Sequence, residues 1–288
     1  MPQAQLNGID INYEVHGGSQ GTPLVLAHGY SSSLDAWREQ IAPRAEKYRL
    51  VIYDTRGHGG STAPEDMARY SLARDYVADQ IALMDHLGIE QAYVGGLSMG
   101  GMIAQELALQ HPHRVKALLL FDTGPGMNAV NRNPALRARF EAMRAMMQKV
   151  ARTQGMSSVI DAMRNSPVAM ALGKGPVPEA VSRHIAGMRT MSVDGYLGGA
   201  RAMQEWDGTV ERLHTIAVPT LVLVGENDQL LEPSRVIHAK IPGSRFALIR
   251  ESAHGSNMWQ PQRFISAVLD FLADVDAGRP VAGEVTLG

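Results

Sequence analysis

The chain of 288 residues contains no cysteine. Disulfide bonds and catalysis by a thiolate are therefore both excluded. The chain also lacks an excess of either charge, because 27 Lys and Arg stand against 29 Asp and Glu, a formal net charge of −2. Without a basic surface field, neither nucleic acid nor an anionic membrane is an expected partner.

Long apolar runs and targeting signals are absent as well. No apolar stretch approaches the roughly 20 residues that span a bilayer. The start MPQAQLNGID has no basic segment followed by an apolar one, so we expect no secretory signal and a cytoplasmic protein. No residues at metal-ligand spacing and no G-x-G-x-x-G at a strand–helix turn occur, so the sequence predicts neither a metal nor an organic cofactor.

What the chain does have is an alternation of strands and helices. Asn7-Gly8 joins two β-leaning runs, which predicts an opening antiparallel hairpin. Further strands are predicted from short, mainly apolar runs that alternate with helical patterns, and an α/β protein with a mainly parallel twisted sheet and helices on both faces follows. These strand runs are PLVLAHG (23–29), YRLVIYD (48–54), QAYVGGLS (91–98), VKALLLFD (115–122), TLVLVGEND (220–228) and SRFALIRES (244–252).

The alternation stops between residues 124 and 206, where the pattern is mostly helical. We predict a core of residues 1–123 and 207–276, a helical cap (lid) over 124–206, and a flexible tail over 277–288 that has no amphipathic pattern. Ten of the 16 methionines lie in the predicted cap. Flexible thioethers fill irregular apolar space, so these methionines either pack cap helices together or line an apolar substrate pocket. The pocket candidates are Met127, Met143 and Met147.

Ser98 is the candidate nucleophile. It lies in Gly96-Leu97-Ser98-Met99-Gly100, a G-x-S-x-G motif. The motif alone is weak, but here it falls where a buried strand meets a helix, the setting of a nucleophile elbow. Side chains at the two glycine positions would collide in such a strained turn. The alternative is a glycine-rich turn with a helix-capping serine.

A serine hydroxyl needs a base, and a histidine is the usual one. His254 lies in RESAHGSNM, directly after the last buried strand, and therefore at the carboxyl edge of the sheet, where open α/β sheets bind ligands. His28 is assigned a structural role. The remaining histidines, apart from His58, fall in predicted helices, helix ends or strand edges, where a solvated or packed histidine is usual: His16, His86, His111, His113, His184, His214 and His238.

The base needs an acid that fixes its tautomer. Asp228 ends a predicted strand at the same edge and is the preferred candidate. Glu226 is its nearest rival, and Asp122, which closes LLLFD, is a second. Asp228 could instead be a turn residue that caps the next helix.

An oxyanion formed at Ser98 requires N–H donors. Met99 supplies one, because it follows the nucleophile at a helix N-terminus. Gly29 ends an earlier strand and lets the backbone turn, so that the Tyr30 N–H is the expected second donor.

Nearly the whole chain resembles the α/β-hydrolases. Within that family, residues 70–123 are most similar to 3-oxoadipate enol-lactonase-like esterases and lactonases. The histidine segment departs from the common pattern G-H-x-x-x-x-E-x-P at Ala253 and Gln260. The segments that carry the resemblance are HGYSSS (28–33), YDTRGHGGS (53–61), GLSMGG (96–101), PTLVLVGENDQL (219–230) and SAHGSNMWQPQRF (252–264).

The resemblance implies a serine hydrolase of small, mostly apolar carboxylic esters or lactones, with Ser98, Asp228 and His254 as its triad. A cofactor-free haloperoxidase (perhydrolase) or a carbon–carbon bond hydrolase on the same triad is the alternative, although HGYSSS lacks the glycine-rich loop usual in the latter. A non-catalytic ligand receptor on this fold is a third, remote alternative. The turn Asp54–Gly59, with Arg56 and His58, is expected to brace the sheet edge.

Overall fold

The computed structural model describes residues 2–126, 134–164 and 177–288. Within these ranges a nine-stranded sheet forms the centre, with strand order β1-β2-β4-β3-β5-β6-β7-β8-β9. β2 pairs antiparallel with β1 and with β4, and every other neighbouring pair is parallel. The strands are β1 (Gln3–Leu6), β2 (Ile9–His16), β3 (Thr22–Ala27), β4 (Tyr48–Tyr53), β5 (Ala92–Leu97), β6 (Val115–Phe121), β7 (Thr220–Gly225), β8 (Arg245–Ile249) and β9 (Gly283–Leu287).

From β3 onward, the segments that connect the strands contain helices. None of the helices in the described ranges is both long and apolar enough to cross a bilayer. Non-helical backbone at Gly155 (φ 80°, ψ 176°) interrupts the longest of them, α4. The helices are α1 (Arg38–Ala45), α2 (Val77–His86), α3 (Met99–Gln110), α4 (Pro134–Arg164), α5 (Glu179–Met188), α6 (Val193–Gln204), α7 (Leu231–Lys240), α8 (Ser256–Trp259) and α9 (Pro261–Asp276).

The opening hairpin confirms the turn signal in the sequence. Asn7 (φ 51°) and Gly8 (φ 72°) both have positive φ, as a two-residue type I′ turn requires. Leu6 is consequently paired with Ile9 across the two strands.

Two hydrophobic cores lie on opposite faces of the sheet, because successive strand residues point to opposite sides. In β3, Val25 packs into the core that includes Leu107 of α3, whereas Leu24 and Leu26 pack into the core that includes Phe264 of α9. The predicted α/β architecture is therefore confirmed, and it holds the carboxyl ends of the parallel strands at one edge.

In the described parts of the segment predicted to be a cap, the helices α4, α5 and α6 lie between β6 and β7. Met147 and Met156 of α4 pack in a separate buried cluster with Tyr196 of α6. Met143, in contrast, is 42% exposed, so it belongs neither to this cluster nor to a closed pocket. Met127 lies outside the described residues.

The prediction of a flexible tail over 277–288 is wrong. Residues Gly283–Leu287 form β9, which pairs in parallel with β8 at the sheet edge, and Arg250 N donates to Leu287 O at 2.9 Å. The strand is held by its backbone, while most of its side chains stay exposed. A search for amphipathic periodicity therefore does not detect it.

The turn that follows β4 is braced by buried hydrogen bonds, in line with its expected role. The Asp54 carboxylate accepts from Leu34 N at 2.7 Å and from Gly60 N at 2.8 Å. Arg56 forms a bidentate pair with the buried Asp79, with both contacts at 2.6 Å. The side chains of Asp54 and Arg56 are thus occupied by structural contacts.

Candidate active site

Ser98 occupies a strained turn between β5 and α3. Its backbone (φ 54°, ψ −112°) lies in a region that non-glycine residues rarely adopt and that costs about 1–3 kcal/mol. A Cβ on Gly96 would lie 2.2 Å from the Gly100 carbonyl carbon, and a Cβ on Gly100 would lie 2.2 Å from Ala27 O. The collisions expected at both glycine positions are therefore present, and the turn presents a half-buried serine at the sheet edge.

Asp228 and His254 meet at the same edge. Asp228 follows β7, His254 follows β8, and His254 Nδ1 lies 2.9 Å from Asp228 Oδ2 and 3.1 Å from Oδ1. Asp228 also accepts a hydrogen bond from Leu230 N at 2.8 Å, which fixes the carboxylate. Since the carboxylate is acceptor-only, the His254 proton is placed on Nδ1, and Nε2 is left as the basic nitrogen.

The pKa of His254 reflects two opposing effects. Burial favours the neutral imidazole, but the hydrogen bond to Asp228 and the negative charge of that residue outweigh burial. Asp122 adds a smaller effect of the same sign, so the pKa of His254 is raised above its ordinary value. The site thus stabilises the imidazolium that forms when His254 takes a proton.

Asp122, the second rival for the acid, has a different set of partners. It is fully buried and accepts hydrogen bonds from Gly225 N at 3.0 Å, Gly255 N at 3.1 Å and Ser256 N at 2.7 Å. These contacts tie the end of β7 to the loop that carries His254. Asp122 therefore holds the loop, whereas Asp228 bonds the imidazole.

Glu226, the nearest rival, is exposed, and its Oε2 accepts from Glu251 N at 3.0 Å. It forms no hydrogen bond with His254 within the described ranges. Of the three carboxylates considered from the sequence, Asp228 alone has the geometry of an orienting acid.

Two backbone N–H groups adjoin Ser98 without an acceptor in the described parts of the chain. Met99 is the first residue of α3, where N–H groups have no partner within the helix. Tyr30 N–H belongs to the loop after β3. That loop packs closely on the serine, because a Cβ on Gly29 would lie 3.4 Å from Ser98 Cβ.

A cavity of about 100 Å³ adjoins Ser98 and His254. The two side chains form no direct hydrogen bond within the described residues, and such bonds often shorten only when substrate is bound. Met143 and Met147 do not line this cavity. Its lining residues are Gly29, Tyr30, Ser32, Leu97, Ser98, Val181, His184, His254, Gly255, Met258 and Trp259.

His184 is a polar lining residue that the sequence analysis did not place in the site. It lies on α5, and its Nδ1 is 3.2 Å from Ser32 Oγ. The available signal was helical spacing, because Val181, His184 and Ile185 share one face of the helix. Val181 and Ile185 both pack on the core beneath α9, so the face that carries His184 points inward.

A larger groove of about 730 Å³ lies elsewhere, beside Tyr70, Glu106 and Arg212, and contains none of the triad candidates. Its buried carboxylate, Glu106, already accepts from Arg212 and, at 2.8 Å, from Trp206 Nε1. Size alone would select this groove, but the candidates Ser98 and His254 line the smaller cavity.

The chain is similar to known proteins over nearly its whole length. The chain is 28% identical to 3-oxoadipate enol-lactonase 2 of Acinetobacter baylyi, over 90% of this chain and 92% of that protein. It is 30% identical to 2-hydroxymuconate semialdehyde hydrolase of Pseudomonas sp., over 93% of this chain and 92% of that protein. The solved structure of the enol-lactonase from Burkholderia xenovorans LB400 superposes with a TM-score of 0.81 and 28% identity, covering 94% of this chain and 100% of that one.

A sequence profile of the alpha/beta hydrolase fold matches residues 22–261. The match spans most of the sheet, the elbow at Ser98 and the loops of Asp228 and His254. The chain belongs to the α/β-hydrolase family, and its relatives include an enol-lactonase.

Proposed function

We propose that the protein is a serine hydrolase of small, mostly apolar carboxylic esters or lactones. The observation that carries the proposal is the convergence of Ser98, on a strained elbow, with the hydrogen-bonded pair His254–Asp228 at one cavity. A serine on a strained turn without a base, or a His–Asp pair without a nucleophile, would not support it. The three groups together match the requirements of acyl transfer.

In the proposed mechanism, His254 Nε2 takes the Ser98 proton while Oγ attacks the carbonyl carbon. The N–H groups of Tyr30 and Met99 stabilise the oxyanion, and His254 then gives its proton to the departing alkoxide. Water, deprotonated by His254, attacks the acyl carbon; the bond to Ser98 Oγ then breaks, Oγ takes the proton back from His254, and the acid is released. Asp228 keeps the imidazole in the required tautomer throughout.

Residues 124–206 act in this proposal as a cap over the site. Val181 and His184 of α5 line the cavity next to Ser98, which supports that role. A cap that contributes side chains to the cavity selects the substrate, whereas the core supplies the chemistry.

Hydrolysis of a carbon–carbon bond is the second candidate, because one relative is named 2-hydroxymuconate semialdehyde hydrolase and is 30% identical. The same triad would serve either reaction. Incubation of the enzyme with that semialdehyde and, separately, with p-nitrophenyl acetate distinguishes the two reactions. An ester hydrolase accelerates hydrolysis of the acetate over its uncatalysed rate by a larger factor than it accelerates cleavage of the semialdehyde.

Acyl chain length is expected to have an optimum at short chains. Each buried CH₂ contributes about 0.8 kcal/mol, but a cavity of about 100 Å³ has room for only about three water molecules, and overpacking costs about 1–3 kcal/mol. The measurement is kcat/KM for p-nitrophenyl esters from acetate to palmitate. Val181→Ala, which enlarges the cavity, should move the optimum to a longer chain. A steady rise to palmitate would show an open, lipase-like groove instead.

The pH dependence follows from the direction of the His254 shift. The base acts in its neutral form, so activity falls as the pH drops through the raised pKa of His254. The acid limb of kcat/KM for a neutral ester should therefore have its midpoint above 6.5, the ordinary value. Asp228→Asn should move the limb to lower pH, because it removes the charge that favours the imidazolium. A wild-type midpoint below 6.5 would contradict this account.

A further inference from the structure

Tyr30 belongs to the core through its backbone and contacts the cap through its side chain. Its backbone lies in the loop after β3, and its hydroxyl donates to Tyr196 O of α6 at 2.7 Å. The two tyrosine rings are stacked, with 5.1 Å between their centroids and 28° between their planes. Burial raises the pKa of Tyr30 well above its ordinary value, so the hydroxyl keeps the proton that it donates.

The ring of Tyr30 has little freedom to move. A Cβ on Gly199, which also belongs to α6, would lie 3.0 Å from Tyr30 Cε2, closer than ordinary van der Waals contact. The helix approaches the ring this closely because position 199 has no side chain. The ring of His58 packs against Tyr30 edge-on, with 6.1 Å between the centroids. The place of the Tyr30 side chain is therefore set by α6 and by the turn after β4.

The peptide bond between Gly29 and Tyr30 is held at its carbonyl end by the core. Burial lowers the pKa of His28 to about 4, so this ring is neutral. Its Nε2 accepts from Thr55 N at 3.0 Å, which leaves the ring proton on Nδ1. Nδ1 donates to Gly29 O at 2.7 Å, and Ser32 N donates to the same oxygen at 3.2 Å. In a trans peptide the C=O and N–H bonds point in opposite directions, so the Tyr30 N–H points away from these donors.

The other end of this peptide unit is Tyr30 Cα, which carries the anchored side chain. The next residue, Ser31, has a φ of 55°, a conformation that is strained for a residue other than glycine. Such a turn keeps its shape where its surroundings hold it. The hydrogen bond to Tyr196 and the packing on Gly199 hold it from the cap. The orientation of the Tyr30 N–H therefore depends on α6 as well as on the core.

We propose that Tyr30 is a positioning residue: its side chain, anchored on α6, places its own backbone N–H for the oxyanion that forms at Ser98. The inference rests on the proposed hydrolysis, in which this N–H is an oxyanion donor, and it gives the cap a role in the chemical step. The negative charge that the N–H stabilises develops in the transition state. A weaker anchor should therefore lower kcat and leave KM almost unchanged.

Tyr30→Phe tests the anchor, because it removes the hydroxyl and keeps the ring that lines the cavity. A donor that is displaced should cost less than the roughly 10²- to 10³-fold of a donor that is deleted. We expect kcat for p-nitrophenyl acetate to fall about tenfold, with KM within about twofold of wild type.

Inhibition by trifluoromethyl ethyl ketone reports the oxyanion directly. Ser98 Oγ adds to its carbonyl carbon while His254 takes the Ser98 proton, so the carbonyl oxygen becomes an oxyanion held by the same N–H groups. In Tyr30→Phe, the inhibition constant of the ketone should rise by the factor by which kcat/KM falls. A side chain that acted as a wall of the cavity alone would change KM instead.

Tyr70→Phe is the matched control. Tyr70 faces the same helix, since a Cβ on Gly198 would lie 2.5 Å from its ring. Its hydroxyl has no hydrogen-bond partner among the residues that the structure describes. Loss of this hydroxyl should leave kcat and the inhibition constant of the ketone at their wild-type values.

Gly199→Ala disturbs the same anchor from the side of the helix. Its methyl group would press on the Tyr30 ring, so kcat should fall while KM stays near the wild-type value. Gly187→Ala is its control, at an exposed position of α5 where a Cβ would meet no atom of the described structure within 4 Å. It should change neither constant. Urea unfolding of all four variants checks that each is folded.

Unchanged kcat and an unchanged inhibition constant in Tyr30→Phe would overturn the positioning role. A rise in KM with kcat unchanged would also overturn it, as would an equal loss of kcat in Tyr70→Phe. If the wild-type protein does not hydrolyse the acetate and a fluorophosphonate does not label Ser98, the proposed function itself fails. Wild-type turnover with labelled Ser98, but no effect of the Tyr30 hydroxyl, refutes this inference alone.

Discussion

Ser98→Ala is expected to lower kcat for hydrolysis of a short p-nitrophenyl ester by about 10⁴-fold or more. Without the hydroxyl there is no nucleophile for His254 to activate, and only binding and the oxyanion donors remain. The serine is half-buried and its side chain makes no hydrogen bond within the described residues, so the fold should persist. The measurements are steady-state kinetics and urea unfolding of both proteins.

Ser266→Ala is the matched control for this change. Ser266 is exposed on α9, and its hydroxyl donates to Asp270 at 3.3 Å. It does not line the cavity beside Ser98, so the same chemical change there should leave kcat at its wild-type value. Residual activity of Ser98→Ala within tenfold of wild type would remove Ser98 from the mechanism.

Asp228→Asn is expected to have the second large effect, a loss of about 10³- to 10⁴-fold in kcat. An asparagine amide in place of the carboxylate would donate to His254 Nδ1, which forces the ring proton onto Nε2. The nitrogen that should accept the Ser98 proton is then already protonated. The side chain keeps its size, so kinetics and the acid limb of the pH profile report the tautomer rather than a change in packing.

Asp122→Asn provides the comparison, because it makes the same substitution in a neighbouring buried carboxylate. Its amide would face backbone N–H groups that now donate to the carboxylate, at Gly225, Gly255 and Ser256. We expect lower stability, by about 1–3 kcal/mol, with a loss of activity of only about tenfold. A larger loss of activity in Asp122→Asn than in Asp228→Asn would make Asp122 the orienting acid. Small losses in both variants would mean that neither carboxylate orients His254.

The sequence predicted the elements whose signals are local. Gly96 and Gly100 mark the elbow because a turn this tight excludes side chains on both sides of Ser98. Asn7-Gly8 marks the hairpin because its two residues must adopt positive φ. In both cases the cause lies within a few residues, so no knowledge of distant contacts is needed.

Which carboxylate orients His254 could be predicted only in part from the sequence. Asp122 and Asp228 each follow a strand at the same sheet edge, so strand order alone leaves both near His254. The structure distinguishes them by their donors: three backbone N–H groups surround Asp122, and the imidazole faces Asp228. Each of these donors lies far from its carboxylate in the sequence, 26 residues for Asp228 and His254 and 103 or more for Asp122. Periodicity and spacing therefore do not separate the two carboxylates.

The side chains of the cap that face the cavity were even harder to predict from the sequence. Met147 packs among cap helices and Met143 lies on the surface, while His184 faces the cavity. Composition indicated an apolar lid but not which helix face points at Ser98, because that depends on how α5 packs against the core. Strand β9 was missed for a related reason, since backbone pairing with β8 forms it.

Covalent labelling of Ser98 tests the central claim most directly. A fluorophosphonate reacts with a serine whose proton is taken by an adjacent base, and the adduct is located by peptide mass spectrometry. The account predicts one adduct per chain, on Ser98, with ester hydrolysis lost in proportion to labelling and with labelling slowed in Asp228→Asn. An adduct on another residue, or full hydrolytic activity in protein labelled at Ser98, would contradict it.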